Sequence, residues 1–136
     1  MRLLLDTHVL VWLVEGLETL PEASREIVDE AARTHGVAVS AISFWEVAML
    51  GARRRISLSK PIGEWREQAL AAPGLDEVAI TGAVGIEAVQ LPGQFHDDPA
   101  DRLIVATARL NGMRLATRDA RLLRYGAAGH VVTLEV

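Results

Sequence analysis

The sequence contains no cysteine, and this absence limits the chemistry that the chain can perform. Disulfide bonds, thiolate zinc sites and cysteine nucleophiles are all excluded, so any metal must be held by oxygen or imidazole ligands. A chain without cysteine also suits a reducing compartment, and we expect to find the protein in the cytoplasm.

Long hydrophobic runs are also missing. The apolar run at the start, Leu3–Leu5, ends at Asp6 and is too short for the core of an export signal. The richest apolar window, residues 37–52, contains two serines and Glu46. It falls short of the roughly 20 apolar residues that a membrane span requires. We therefore expect neither a secretion signal nor contact with a membrane.

Positive charge is in the minority, because 18 acidic side chains stand against 14 basic ones and the net charge is −4. This balance argues against a broad cationic surface for wrapping duplex DNA, although a local basic patch stays open. Hydrophobic residues make up 50% of the 136 positions, which is enough apolar surface for one core. We expect a single domain over residues 1–136.

Short apolar runs alternate with helical periodicity along the chain. The sequence Asp98-Pro99-Ala100-Asp101 is typical of a helix start, with Asp98 as the N-cap and Pro99 at the first helical position. The predicted strands are 3–5, 37–39, 75–80, 114–117 and 130–136. The predicted helices follow Asp6, either Ser40 or Ser43, and Asp119, and also cover 21–35, 61–72, 81–89 and 99–110. Strands that alternate with helices predict an α/β fold with a mainly parallel sheet.

Four carboxylates are expected at one edge of this sheet. In an open parallel sheet the ligand site lies beyond the carboxyl ends of the strands. Asp6 directly follows one predicted strand, and Asp119 follows another after a single residue. Asp101 lies in a first helical turn, and Glu46 lies about one and a half turns beyond the second strand. Each aspartate alone has an ordinary alternative role as a helix cap or turn residue. Glu46 differs, because a charge in so apolar a helix is costly unless it is paired or binds metal.

Several ionised carboxylates in one pocket need a counter-charge. Two of them about 4 Å apart repel each other by on the order of 4 kcal/mol at an effective dielectric constant of about 20. A shared proton or an arginine could relieve this repulsion. A hard divalent cation, Mg²⁺ or Mn²⁺, suits oxygen ligands best in a chain without cysteine or clustered histidine. Such an ion binds a phosphoryl oxygen and lowers the pKa of bound water, which favours phosphodiester hydrolysis.

These acids lie in four segments that carry a family resemblance. The segments are LLDTH at 4–8, SAISFWE at 40–46, DPADRLI at 98–104 and ATRD at 116–119. Together they resemble PIN-domain proteins, specifically the VapC-type toxins of bacterial toxin–antitoxin pairs. The four segments keep the family's order and spacing, and the resemblance spans nearly the whole chain.

The resemblance implies a PIN-like three-layer α/β/α fold and an endoribonuclease that depends on Mg²⁺ or Mn²⁺ and acts as a toxin. It implies that the catalytic residues, which are also the metal ligands, are Asp6, Glu46, Asp101 and Asp119. Thr7 and Thr117 are expected to hydrogen bond to metal-bound water or to substrate, with Asp98 as a further acid. The family pattern also implies a homodimer and a cognate antitoxin that inserts a segment at the active site.

Arginine supplies almost all of the positive charge, since only Lys60 is a lysine. Some of the arginines near Asp101 and Asp119 could hold RNA phosphates, and we predict that Arg102 and Arg118 do so. The run Arg53–Arg55 is interpreted as a surface for RNA or an acidic antitoxin, or else as a helix end that favours cations.

Histidines and tryptophans are assigned structural roles. His8 and His96 each lack a second histidine at ligand spacing, so both are interpreted as structural. Trp12, Trp45 and Trp65 lie in apolar or amphipathic helices. We interpret them as core or dimer-contact residues rather than platforms for base stacking.

Two other functions compete with the nuclease. An aspartyl phosphatase would use Asp6 as its nucleophile but needs a second acid two residues further on, where this chain has His8. A non-catalytic module that binds an antitoxin or RNA remains the alternative.

Overall fold

The computed structural model describes residues 1–136 as seven helices around one five-stranded sheet. The strands are β1 Leu3–Leu5, β2 Val37–Ser40, β3 Leu75–Val78, β4 Arg114–Thr117 and β5 Thr133–Glu135. The helices are α1 Thr7–Glu15, α2 Glu22–Thr34, α3 Ala41–Ala52, α4 Ile62–Leu70, α5 Gly82–Val89, α6 Pro99–Asn111 and α7 Ala120–Ala127. None of the helices is long and apolar enough to cross a membrane.

Every neighbouring pair of strands in the sheet is parallel, which confirms the predicted α/β class. The strand order is β3-β2-β1-β4-β5. Strands β2 and β3 are therefore added on one side of β1, and β4 and β5 are added on the other side. Such a reversal of strand order leaves a crevice at the carboxyl ends of the two central strands, here β1 and β4. The residues that follow these two strands therefore lie at the natural ligand site of the fold.

Helices cover both faces of the sheet because the central strand is apolar on both sides. Leu3 and Leu5 pack into a core with side chains from α1 to α4, including the fully buried Trp65. Leu4, between them, points to the opposite face and packs with residues of α6 and α7 such as Ile104. Side chains of successive strand residues alternate between faces, so a continuous apolar strand requires two helical layers. This arrangement confirms the three-layer α/β/α prediction.

Polar side chains begin the helices that follow the strands. Asp6 accepts the Thr7 backbone N–H at 2.8 Å, and Asp119 accepts the Arg121 backbone N–H at 2.7 Å. Asp98 caps α6 by accepting the Asp101 backbone N–H at 3.0 Å, as its sequence predicts. These aspartates therefore do cap helices, which is the ordinary role expected for them as an alternative to metal binding. In each of these aspartates the cap uses one carboxylate oxygen, and the second oxygen takes no part in it.

Arg102 fastens the segment between α5 and α6. Its Nε donates to the Ala88 carbonyl at 2.8 Å, and its Nη1 donates to the carbonyls of Phe95 and His96, each at 3.1 Å. Its Nη2 reaches the Val89 carbonyl at 3.4 Å. One guanidinium thus satisfies carbonyls at the end of α5 and in the loop that leads to Asp98.

Replacing Arg102 with methionine is expected to destabilise the fold, although methionine keeps most of the apolar part of the arginine side chain. The carbonyls of Ala88, Phe95 and His96 would lose charge-assisted donors, which costs about 2 kcal/mol. We expect a fall in melting temperature of roughly 5–10 °C. Arg124→Met is the control, because that exposed side chain on α7 forms no salt bridge. Equal melting temperatures for the two variants would contradict this role of Arg102.

Candidate active site

Asp6 lies in the crevice, held by hydrogen bonds from the first residue of α1 and the last residue of β4. It is only 6% exposed. Its Oδ1 accepts the Thr7 backbone N–H, and its Oδ2 accepts the Thr117 hydroxyl at 2.8 Å. Burial raises the pKa of Asp6, and the hydrogen bonds from Thr117 and Thr7 offset part of that effect. These two donors fix the carboxylate where β1 and β4 end side by side.

Thr117 connects Asp6 to Asp119. While its hydroxyl donates to Asp6, its Oγ1 also accepts the Asp119 backbone N–H at 3.0 Å. Thr7 is similarly engaged, because its hydroxyl lies 2.9 Å from the Ser43 hydroxyl and joins α1 to α3. Both threonines are buried. In the structure they order the protein's own groups, and their contact with substrate or metal-bound water stays a prediction.

Glu46 reaches the same crevice from α3 and is partly buried. Burial raises its pKa most, the neighbouring Thr7 hydroxyl lowers it, and the charges of Asp6 and Asp98 raise it further. The carboxylate of Glu46 is therefore within electrostatic reach of acids that follow β1 and precede α6. Folding brings it to the edge of the sheet that its position on α3 predicts.

Asp101 is surrounded by the other acids. It is 8% exposed, and its pKa is raised to about 7, first by burial and then by the charges of Asp6, Asp98, Glu46 and Asp119. A carboxyl group whose pKa is shifted this far by burial and like charges is characteristic of a functional site. The structure thus brings all four predicted acids into one electrostatically coupled group.

Arg121 and His96 also lie in this group, although the sequence singles out neither as a site residue and His96 is interpreted there as structural. Arg121 Nη2 lies 3.2 Å from Asp119 Oδ2 and 3.6 Å from Asp101 Oδ2. Burial alone raises the pKa of Asp119, but the hydrogen bonds and charge of Arg121 outweigh it, so the pKa is lowered. The spacing Asp119-Ala120-Arg121 was the available signal, since it places an arginine in the first turn that the aspartate caps.

His96 contacts Asp101 from the loop before α6. Its Nδ1 accepts the Asp98 backbone N–H at 3.3 Å, and its Nε2 lies 3.1 Å from Asp101 Oδ2. Nε2 is buried and lacks the alignment of a hydrogen bond, so this contact is a close approach only. Burial and the charge of Arg121 lower the pKa of His96, which favours the neutral imidazole. His96 therefore supplies Asp101 with a polar neighbour but no positive charge.

The acidic side chains provide the oxygen ligands that a divalent metal prefers, but they are not arranged to hold one. The acids supply oxygen ligands, and their mutual repulsion is what a hard cation relieves. No three histidine, aspartate or glutamate side chains are close enough together to hold an ion as they stand. Arg121 occupies part of the space between Asp101 and Asp119. Metal binding therefore requires these side chains, above all that of Arg121, to change rotamer.

Replacing Arg121 with alanine is expected to tighten Mn²⁺ binding about threefold at pH 8. The ion no longer has to displace a half-exposed guanidinium from Asp101 and Asp119, an interaction worth about 0.2–1 kcal/mol. Isothermal titration calorimetry measures the change, with Arg124→Ala on the same helix as the control. Affinity that is unchanged, or weaker than in the unaltered protein, would show that Arg121 does not compete with the ion.

The two arginines predicted to bind RNA have intramolecular partners. Arg102 uses all three guanidinium nitrogens on the carbonyls described above. Arg118 donates from Nε to the Val136 carbonyl and from Nη1 to the Thr19 carbonyl. Only Arg118 lines a cleft beside the acids, together with Asp6 and Asp119. A phosphate would have to displace a carbonyl from Arg102, whereas Arg118 keeps its Nη2 free.

The largest cavity of the molecule lies elsewhere. It has a volume of about 800 Å³ and is lined by residues such as Gly112, Met113 and Val132, which precede β4 and β5. It is therefore at the amino ends of the strands, opposite the acids, and no predicted site residue lines it. Size alone does not identify the site, because the acidic crevice is small and open.

Comparison of sequences gives one family and a close relative. The model of the PIN domain family matches residues 3–128. Ribonuclease VapC22 of Mycobacterium tuberculosis is 42% identical over 119 residues, a stretch that covers 88% of this chain and 88% of that protein. The family match includes strands β1 to β4 and all four predicted acids.

Comparison of structures gives the same fold. The complex of VapBC2 from Rickettsia felis with a DNA fragment from its promoter matches with a TM-score of 0.72 and 15% identity. DNA-bound VapBC from Salmonella typhimurium matches with a TM-score of 0.70 and 16% identity. Each match covers 99% of this chain and 98% of the other. At these identities the likeness establishes the fold alone.

Proposed function

We propose, on the premise that this chain belongs to the PIN-domain family and resembles its VapC ribonucleases, that it is an endoribonuclease toxin dependent on Mg²⁺ or Mn²⁺. Residues 1–136 would act as one PIN domain. The observation that carries the proposal is the state of Asp101, whose pKa of about 7 reflects burial and the combined charge of the surrounding acids. A site that brings so many acids together is suited to a bound cation.

The proposed ligands and catalytic groups are Asp6, Glu46, Asp101 and Asp119. When bound, the ion would stabilise negative charge on the phosphodiester and promote deprotonation of the attacking water. Asp6 is held rigidly by Thr7 and Thr117, so its free lone pairs face a fixed position. The fixed placement of charge before reaction is itself a source of rate enhancement.

The proposed partners follow from the relatives. Two of the structures with this fold are VapBC complexes, which supports a cognate antitoxin as partner of this chain. A homodimer is supported by apolar side chains on α5, where Ile86 is 61% and Val89 is 80% exposed. The two side chains are three residues apart on α5 and so share one face of the helix, where a partner chain could cover them. A ribonuclease toxin meets its RNA in the cytoplasm, the location we propose.

RNA cleavage with and without metal tests the function. Purified protein, freed of metal by EDTA, is incubated with single-stranded RNA before and after addition of excess Mn²⁺ or Mg²⁺. We expect cleavage products only when the ion is present. Cleavage of equal rate in EDTA would contradict the metal-dependent mechanism.

A non-catalytic binding module is the second candidate. It is favoured by one observation, the lack of any three donors close enough to hold an ion as they stand. Such a module would bind RNA or antitoxin but show no metal-dependent loss of RNA and little thermal stabilisation by Mn²⁺. The cleavage experiment and a melting curve with Mn²⁺ therefore separate the two functions.

A further inference from the structure

A second small cleft adjoins the acidic crevice. It has a volume of about 200 Å³ and is lined by Asp6 and Asp119 together with His8, Val9, Trp12 and Arg118. One wall is thus acidic and shared with the proposed active site. The remaining polar walls carry an imidazole, an indole and a guanidinium.

Arg118 is held in a fixed orientation in this cleft. Its Nε donates to the Val136 carbonyl at 2.9 Å and its Nη1 to the Thr19 carbonyl at 2.8 Å. Its Cζ lies 4.8 Å from the centroid of the Trp12 ring, which completes the support. Nη2 has no hydrogen-bond partner. A guanidinium held in this way loses little side-chain entropy when its free nitrogen binds an anion.

His8 and Trp12 add aromatic surface to the cleft. They lie four residues apart on α1 and therefore share one face of the helix. Their ring centroids are 6.2 Å apart and their planes are tilted by 48°. His8 is exposed, and Trp12 is partly exposed although it also packs against the core. Trp12 therefore contacts the core, as the sequence indicates, and also presents part of its surface to this cleft.

These contacts match the groups of a nucleotide. A phosphate requires a positively charged donor, and Arg118 provides one beside two carboxylates that would otherwise repel it. A base requires an aromatic face, and base–aromatic stacking is tolerant of sequence because every base has one. Duplex RNA keeps its bases stacked internally, so only a single strand can present a base to this cleft.

We infer that the cleft of His8, Trp12 and Arg118 binds one nucleotide of single-stranded RNA next to the phosphodiester that is cleaved. The phosphate of that nucleotide contacts Arg118 Nη2, and its base stacks on the exposed part of Trp12 and His8. The inference rests on the proposed function for the identity of the nucleic acid. It assigns to Trp12 a direct role in substrate binding.

Tryptophan fluorescence tests the cleft without requiring cleavage. Trp45 is 55% exposed and is replaced with phenylalanine, which leaves Trp12 and the fully buried Trp65 as emitters. In this chain, with Glu46→Gln added to prevent turnover and Mg²⁺ present, a short single-stranded RNA is expected to quench emission. The same RNA annealed into a duplex is expected to leave emission unchanged.

Binding by variants supplies the quantitative result. Anisotropy of a labelled single strand is expected to show binding weakened roughly tenfold by Trp12→Leu and by Arg118→Met. Trp12→Phe, which keeps an aromatic face, should bind within about threefold of its parent. This conservative variant distinguishes loss of stacking from loss of folding. The inference is overturned if the Trp12→Leu, Arg118→Met and parent chains bind with equal affinity, or if no binding of single strands is detected.

Failure of the nucleotide cleft can be distinguished from failure of the proposed nuclease function. Quenching by single-stranded RNA without any metal-dependent cleavage supports the cleft and rejects the nuclease. Metal-dependent cleavage by a chain whose affinity is insensitive to Trp12→Leu and Arg118→Met supports the nuclease and rejects the cleft.

Discussion

Replacing Asp6 with asparagine is expected to lower the rate of RNA cleavage by on the order of 10²–10³-fold. The ion contributes several kcal/mol of charge stabilisation in the transition state, and each 1.36 kcal/mol is a factor of ten in rate. Asparagine keeps the shape of the side chain but removes the negative charge that would face the ion. Initial rates on single-stranded RNA with saturating Mn²⁺ measure the effect.

The fold should tolerate the Asp6→Asn change. The asparagine oxygen still accepts the Thr7 backbone N–H, and its amide can donate to the Thr117 hydroxyl oxygen. Asp76→Asn is the matched control, because Asp76 is an exposed carboxylate on β3 whose ion pair with Arg2 is on the surface. Full activity of Asp6→Asn with an unchanged melting temperature would remove Asp6 from the mechanism.

Replacing Asp101 with asparagine is expected to stabilise the metal-free protein at high pH and to leave it unchanged at low pH. In the folded chain the pKa of Asp101 is about 7, against 3.8 for an unperturbed group. The folded state therefore binds the proton more tightly than the unfolded state does. Between about pH 4 and pH 7 the folded chain keeps this proton while the unfolded chain does not, so the protein loses stability as the pH rises through that range.

The size of this effect is largest above pH 7, where the folded carboxylate is ionised. The shift corresponds to roughly 4 kcal/mol, since one pKa unit is 1.36 kcal/mol. Asparagine cannot ionise, so Asp101→Asn should melt on the order of 10 °C higher than the parent at pH 8 and equally at pH 4. Melting curves in EDTA measure this, with the exposed Asp97→Asn as control. A variant that melts lower at pH 8 would contradict the repulsion assigned to Asp101.

The backbone positions of the acids could be predicted from the sequence because they follow from local rules. Strand β4 has the predicted bounds, Arg114–Thr117, and Asp98 caps α6 as its pairing with Pro99 indicates. The end of a parallel strand determines the edge at which the next residue lies. That rule is sufficient to bring Asp6 and Asp119 together, although they are far apart in the chain.

The destinations of long side chains could not be predicted in the same way. Arg102 and Arg118 are near the acids in sequence, but both bond to carbonyls that only the folded loops bring within reach. Arg121, which looked no different from its neighbours, instead contacts two of the acids. The strand predicted over 130–136 begins only at Thr133, because a turn with Gly129 at φ 88° follows α7. Such details depend on tertiary contacts rather than on periodicity.

The central claim is that the coupled acids at the carboxyl edge of the sheet form a divalent-metal site. Isothermal titration of Mn²⁺ into the metal-free protein and into its Asp6→Asn variant at pH 8 tests this claim most directly. We predict saturable binding by the parent chain and at least tenfold weaker binding by the variant. Equal binding by both chains, or no binding by the parent, would contradict it.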